Sequence, residues 1–232
     1  EMKLHASLLS PEEREKVHRQ AVRVLSEVGS RFMSRKALDI LKKNGAAVDY
    51  DEMIARIPEE MIREALKRAP GSFTLGGRDP AFDFPLPSKK TLYSMDGAAT
   101  YFQEFETGHR RNALRKDMAD SLLVYEYMEY GGINWPPIMA DDYPVLEAAG
   151  IGHTLETFIH SSKHTQNEIK KPEEAEFFAE AMEAVCGSME EVKRRKILSL
   201  IYCTVPPLVH EEDMVEGCLL MGEYDVPVVV YP

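Results

Sequence analysis

The chain has 232 residues, 44% of them hydrophobic, enough for one large or two small domains with a real core. It carries 28 Lys and Arg against 39 Asp and Glu, a net charge of −11, which argues against general binding to nucleic acid or anionic membranes. No apolar run reaches the length of a membrane span, about 18 residues. The opening segment, EMKLHASLLSPEEREK, lacks the apolar core of a secretory signal. Cys186, Cys203 and Cys218 lie far apart, fitting neither a disulfide framework nor a zinc pattern, so a reducing cytoplasm is expected.

Ser10-Pro11-Glu12-Glu13 predicts a helix start, with an N-cap Ser, Pro at the first helical position and acids at the positive end of the dipole. Val17, Ala21, Val24, Leu25 and Val28 form its expected apolar face, and Gly29 ends it. A second helix is expected from Ser34 to Asn44-Gly45, with Ala37, Leu38 and Leu41 inward. Ala46–Ile57 reads as irregular or extended, and Pro58-Glu59-Glu60 opens a third helix stopped by Pro70. Residues 1–70 are therefore expected to be an N-terminal helical region, a small bundle over 10–69. From Gly71 to Arg111 glycines and prolines separate short aromatic runs, and Ser72–Leu75, Thr91–Met95 and Thr100–Glu104 read as strands. Arg115–Glu129 reads as a helix with Leu122, Leu123 and Met128 apolar, so 71–130 is expected to be a small β segment plus helix.

From Gly131 the pattern alternates. Strands are expected at Gly132–Ile138, Phe158–Thr165, Ile197–Thr204 and Val226–Tyr231, with helices at Asp142–Phe158, Pro172–Cys186 and Glu211–Tyr224. The strongest strand is KILSLIYCTVPPL, Lys196–Leu208, which reads as buried on both faces and stopped by Pro206-Pro207. Such βα alternation implies a parallel sheet with right-handed crossovers. Four units fit the first half of a (β/α)8 barrel over 131–232, or an open doubly wound sheet. No GxGxxG follows a strand, and Gly150-Ile151-Gly152 falls in a helical stretch and reads as close packing. The terminal run DVPVVVYP looks like a buried strand with nothing after it, so a longer protein is expected.

In parallel barrels ligands meet the carboxyl ends of the strands. Those ends supply Trp135, Pro136, Met139, Asp141 and Asp142 from the first strand, and Lys163, His164, Thr165 and Gln166 from the second. The third gives Tyr202, Cys203 and Thr204, and the fourth gives Tyr231. His160 and His164, with His153 upstream, invite a metal reading, but on a strand the first two would stand roughly 13 Å apart, too far to share an ion, and the β-rich flanks and Ser161-Ser162 argue against a helix that would make them neighbours. His164 is expected to hydrogen-bond in the cavity, and Lys163 is either a working amine or an exposed loop lysine. Cys203 reads as a nucleophile or as an apolar filler, with no partner base in view. Trp135, Tyr143, Tyr202 and Tyr231 suit either ordinary packing or cation–π capture of a quaternary ammonium. Asp141 and Asp142 add negative charge or cap the following helix.

EVGSRF, LKKNGAAVD, IPEEMIREALKRAP and FTLGGRDP are similar to the opening of the trimethylamine–corrinoid methyltransferase superfamily. So is YSMDGAATYFQEFETGHRRNALRKDMAD, with its D/E-x-x-TG-x-R-R pattern and an Asp starting a helix, and KHTQ and PPL continue the likeness. The resemblance covers most of the chain as the N-terminal half of such a protein. It implies a (β/α)8 barrel and methyl transfer from a methylated amine to the Co(I) of a separate corrinoid protein. A homo-oligomer is expected, with no corrinoid or metal bound by this chain itself, and the strand ends are expected to line the cavity with Trp135, Asp141, Lys163, His164, Gln166, Tyr202, Cys203, Thr204 and Tyr231. Some members carry pyrrolysine in the later half, others act on substrates such as glycine betaine, and no catalytic residue is assigned here. Two other readings remain open: a Schiff-base or hydrolytic barrel enzyme using Lys163 or Cys203, and a non-catalytic binding module.

Overall fold

The computed structural model describes residues 7–231. Residues 1–6 of the expected non-signal opening and the final Pro232 of the terminal run lie outside the described residues. Contacts divide the chain into two compact units, one ending at Pro70 and rejoined by Val205–Glu212, the other formed by Gly71–Thr204 and the chain from Asp213.

In the first unit Ser10 and Glu13 form a reciprocal capping box at the start of α1 (Pro11–Arg23). The helix passes into a π-helical turn, Val24–Val28, and stops at Gly29 with φ +89°, where a Cβ would lie 2.6 Å from the Ala55 carbonyl oxygen. Then come β1 (Ser30–Phe32), α2 (Arg35–Lys43) capped by Ser34, β2 (Ala47–Asp49), β3 (Ile54–Arg56) and α3 (Glu59–Arg68). The expected helices are present, and a sheet lies among them: β2, β3 and β1 run antiparallel, and Val209–His210 adds to β1 in parallel. The face expected on α1 is corrected. Val17, Ala21, Val24 and Val28 are exposed, while Val22 is buried and Leu25 half-buried. The π turn packs against β3 and α1 meets α3, and of the α1 side chains only Val22, near its C-terminal end, is buried.

The second unit opens with the antiparallel pair β4 (Phe73–Leu75) and β5 (Phe84–Leu86), then β6 (Tyr93–Ser94) and the hairpin β7 (Tyr101–Gln103) and β8 (Arg110–Asn112). After it come α4 (Arg115–Glu126), β9 (Gly131–Asn134), α5 (Ala149–His160), β10 (His164–Asn167), α6 (Glu174–Cys186), α7 (Met189–Arg195) and β11 (Leu198–Cys203). The chain then contributes β12 (Val209–His210) to the first unit before α8 (Glu212–Gly222) and β13 (Val228–Tyr231). The main sheet runs β6-β9-β10-β11-β13, every pair parallel. Chain order equals spatial order, whereas a doubly wound sheet reverses. The result is a curled, open half-barrel flanked by helices, the partial (β/α) barrel expected, with β6 as a fifth strand ahead of the four foreseen.

Leu198 and Leu200 pack with Phe158, Ile169, Phe178, Met182 and Met221 in the layer between sheet and helices. Strand alternation sends Ser199, Ile201 and Cys203 to the opposite, concave face. A second cluster joins Met118 and Leu122 of α4 to Ala113, Ile138 and Ala140. The apolar positions expected on α4 are corrected accordingly: Leu123 and Met128 are exposed, and Met118 and Tyr125 are buried with Leu122. The strand expected at Phe158–Thr165 is also corrected, since α5 continues to His160 and β10 begins at His164. Phe158 is buried at helical spacing in the core, and His160 meets Glu156 one turn back at 3.0 Å, so tertiary packing overrides the β-rich flanks. Gly152 does serve close packing, because a Cβ there would lie 2.3 Å from the Tyr143 ring.

Gly76, beside the base of the sheet, donates its N–H to the Lys196 carbonyl, and a Cβ on it would lie 2.1 Å from the Arg195 carbonyl oxygen. Gly76→Ala is expected to cost about 1–3 kcal/mol in denaturant unfolding, because a backbone atom cannot swing aside. An unchanged midpoint would contradict this packing.

Candidate functional site

The carboxyl end of the half-barrel gathers side chains from four strands. Trp135 stands one residue beyond β9 and covers Gly97, whose Cβ would meet its ring at 2.7 Å. Glu168 stands one residue beyond β10, in phase with His164 and Gln166. Cys203 closes β11, with its Sγ 3.7 Å from Glu168 Oε1. Tyr231 is the register partner of Cys203 and projects to the same face, largely exposed. Burial and the nearby Glu168 carboxylate push the Cys203 thiol above its ordinary pKa, so it is a protonated thiol, a poor nucleophile. Sequence reasoning missed Glu168. Its signal was the period-two step from Gln166, hidden when the strand was ended at Thr165.

Behind Trp135 lies a cavity of about 50 Å³ with Met139, Gly150, His153, Glu168 and Lys170 among its walls. A larger hollow of about 440 Å³ lies at the other end of β9, beside Gly131 and Gly132. In parallel barrels that end serves stability, so its size does not make it the site.

Several expected site residues stand elsewhere. Lys163 and His164 lie at the amino end of β10, not its carboxyl end. Lys163 is 2% exposed, and its Nζ donates to the Tyr125 and Met128 carbonyls, both 2.8 Å away, at the end of α4. It is neither an exposed loop lysine nor a free amine but a buried cation on the negative end of a helix, beside the Tyr125 ring. His164 is fully buried: its Nδ1 donates to the Gly76 carbonyl at 2.9 Å, so its Nε2 accepts from the Ser199 hydroxyl at 2.8 Å. Gln166 donates to the same Ser199 oxygen at 3.0 Å. These contacts tie β10, β11 and the Gly76 segment together below the rim. Tyr202 is the register partner of Val230 and projects away from Cys203, towards the helix layer, where burial lifts its phenol to about 12. Thr204 meets the Tyr231 carbonyl through its backbone N–H.

Asp141 accepts from Asn112 Nδ2 at 2.5 Å, and Asp142 accepts from the Arg115 N–H at 2.8 Å, so Asp142 caps α4 rather than the following helix. The E-x-x-TG-x-R-R pattern proves to be a lock on the β7–β8 hairpin. Thr107 and Arg111 both donate to Glu104, and Arg111 grips buried Asp117 in α4 through two bonds of 2.7 and 2.9 Å. Among the described residues no group of three or more His, Cys, Asp or Glu could hold a metal ion, and no helix is long and apolar enough to cross a membrane.

Burial holds the His164 imidazole down at about 4 against an ordinary 6.5. A histidine kept neutral by the fold stabilises above its unfolded pKa, and that stability is lost as the pH falls through the folded one. His164 alone should therefore contribute a decline of ~3 kcal/mol between pH 6.5 and 4, and His164→Gln should remove that share of the slope. Part of the slope should remain in the variant, because burial also holds His153 at about 4. Urea midpoints measured across this range test the expectation, and equal slopes in both proteins would contradict it.

A family model described as trimethylamine methyltransferase (MTTB) matches residues 3–232. The chain is 26% identical over 228 residues to the trimethylamine methyltransferase MttB of Methanosarcina barkeri (strain Fusaro / DSM 804), covering 97% of this chain and 46% of that protein. It is 25% identical over 200 residues to the MttB of Desulfitobacterium hafniense (strain DSM 10664 / DCB-2), covering 86% and 40%. With the glycine betaine methyltransferase of Desulfitobacterium hafniense (strain Y51) the identity is 20% over 229 residues, covering 97% and 46%. The chain thus spans about half the length of the curated relatives it matches.

Proposed function

Because the chain belongs to the trimethylamine methyltransferase (MTTB) family, we propose that its half-barrel is part of an enzyme that takes a methyl group from a methylated amine and passes it to the Co(I) of a separate corrinoid protein. Trimethylamine and a quaternary amine such as glycine betaine are the two substrate types, each named by a relative. The observation that carries the reading is the meeting of Trp135, Glu168, Cys203 and Tyr231 at the carboxyl ends of the strands, in a chain matched to the family over residues 3–232.

Such a reaction asks the protein to hold a cation, exclude water and aim one methyl group. An indole face attracts a methylated ammonium, and the Glu168 carboxylate balances its charge. The reduced cobalt supplies the nucleophile, so the chain needs none of its own. This fits a protonated Cys203 and a Lys163 held on helix carbonyls. It also takes Lys163 away from the Schiff-base alternative as a free amine. The corrinoid protein is expected to approach the open rim at the strand ends, where a methyl group can leave.

With the full-length protein and its corrinoid acceptor, Glu168→Gln is expected to raise the amine KM about tenfold with kcat changed only a few-fold, since one charge contact to the cation is lost. Trp135→Ala should act in the same direction. Unchanged KM in both variants, or no methyl transfer from either substrate type, would contradict the proposal.

A further inference from the structure

A groove of about 480 Å³ lies between the start of α6 and the end of α8. Ala175, Phe177, Leu220 and Tyr224 form its apolar walls, and Glu173, Glu176 and Glu223 stand exposed along it. Phe177 is 52% exposed, although the next residue, Phe178, is fully buried in the core. A ring left in water on an apolar wall is the anchor point that binding interfaces use. The glutamates are not balanced from within. α6 and α8 contain no Lys or Arg, and the nearest cation along the chain is Lys171, outside the groove wall. Among the described residues these three glutamates form no ion pair and no side-chain hydrogen bond. Two such grooves cannot face each other, because glutamate would meet glutamate. The surface that complements this one is apolar at its centre and basic at its ends, and the chain itself carries one. On α2, Lys36, Ile40 and Lys43 share one exposed stripe, with Ile40 39% exposed. Neither lysine has an ion pair among the described residues. Asp39, the one acid of α2, accepts from the Tyr50 hydroxyl at 2.6 Å. The other basic helices differ, since Arg23, Arg63, Lys67 and Arg194 are each paired with a nearby glutamate.

We propose that α2 of one copy of this chain docks in the α6–α8 groove of a second copy, with Ile40 against Phe177 and with Lys36 and Lys43 facing Glu173, Glu176 and Glu223. Each surface lies within one compact unit of its own copy, so the contact asks nothing of how the units sit. The mode is a helix laid in a groove, with one apolar anchor at the centre and charge pairs that set the register. The contact is heterologous, because each copy offers α2 at one place and the groove at another. Repetition therefore builds a ring or a chain of copies and not a two-fold pair. The inference is independent of the reaction proposed above and stands or falls without it.

The test is sedimentation of the full-length protein with charges reversed on one surface at a time. The wild type should assemble as its concentration rises, and less so in high salt. One variant combines Glu176→Lys with Glu223→Lys in the groove, and the other combines Lys36→Glu with Lys43→Glu on α2. All four positions are exposed, so the fold should tolerate them. Each variant alone should stay monomeric where the wild type assembles. An equimolar mixture of the two should assemble again, because reversed α2 meets reversed groove and native α2 meets native groove. That recovery also shows that both variants are folded. Phe177→Ser should weaken assembly about tenfold or more, since it removes the anchor and leaves the charges. A monomeric wild type, or assembly that survives both reversals, would overturn the proposal. Loss in the groove variant alone would assign the groove to a different basic partner and overturn it too. Loss in both without recovery on mixing would do the same.

Discussion

The half-barrel depends on the hydrogen bonds of one neutral imidazole. His164 spans from the Gly76 carbonyl to the Ser199 hydroxyl with no exposure to water, and Gln166 completes the group. Because side chains alternate along a strand, fixing His164 and Ser199 on the concave face fixes every residue above them. Glu168 and Cys203 then meet at the rim, while Leu198 and Leu200 enter the core. A slip of one residue would exchange those two sets. The polar base is therefore a register device, and the candidate rim inherits its geometry.

That division explains which polar residues have chemistry left to offer. Lys163 has the right element for a catalytic amine but is spent on the α4 carbonyls, and Arg111 is spent on Asp117 and Glu104. What remains at the strand ends is an indole, a carboxylate with the Lys170 ammonium on the same cavity wall, a protonated thiol and a phenol. This set suits holding a methylated cation better than breaking a bond by acid, base or nucleophile, which is the division of labour a cobalt nucleophile on a partner would require.

The parallel layout was legible in the sequence because Ile197 to Tyr202 is an apolar run broken only by Ser199, and because helix starts such as Ser10-Pro11 and stops such as Gly29 carry their own local chemistry. The phase of each strand was not. Nothing local distinguishes Tyr202 from Cys203 as the inward residue, since the choice is made by Leu198 and Leu200 finding the helices. Residues 158–165 carry both helical and strand signals, and the contest is settled by where Phe158 is buried, a fact of tertiary packing. Glu168 was passed over, and His153 was weighed only beside a metal, for the same reason. A glutamate after a strand and a histidine in a helix look like solvated or core residues until the cavity between them exists.

The central claim, that the carboxyl-end rim of this half-barrel holds a methylated cation, is tested most directly by locating one. Crystals of the full chain grown with tetramethylarsonium, whose arsenic scatters anomalously, should show a single strong peak beside Trp135 and Glu168. A peak at the amino end near Gly131 and Gly132, or none at all at saturating concentration, would contradict the claim.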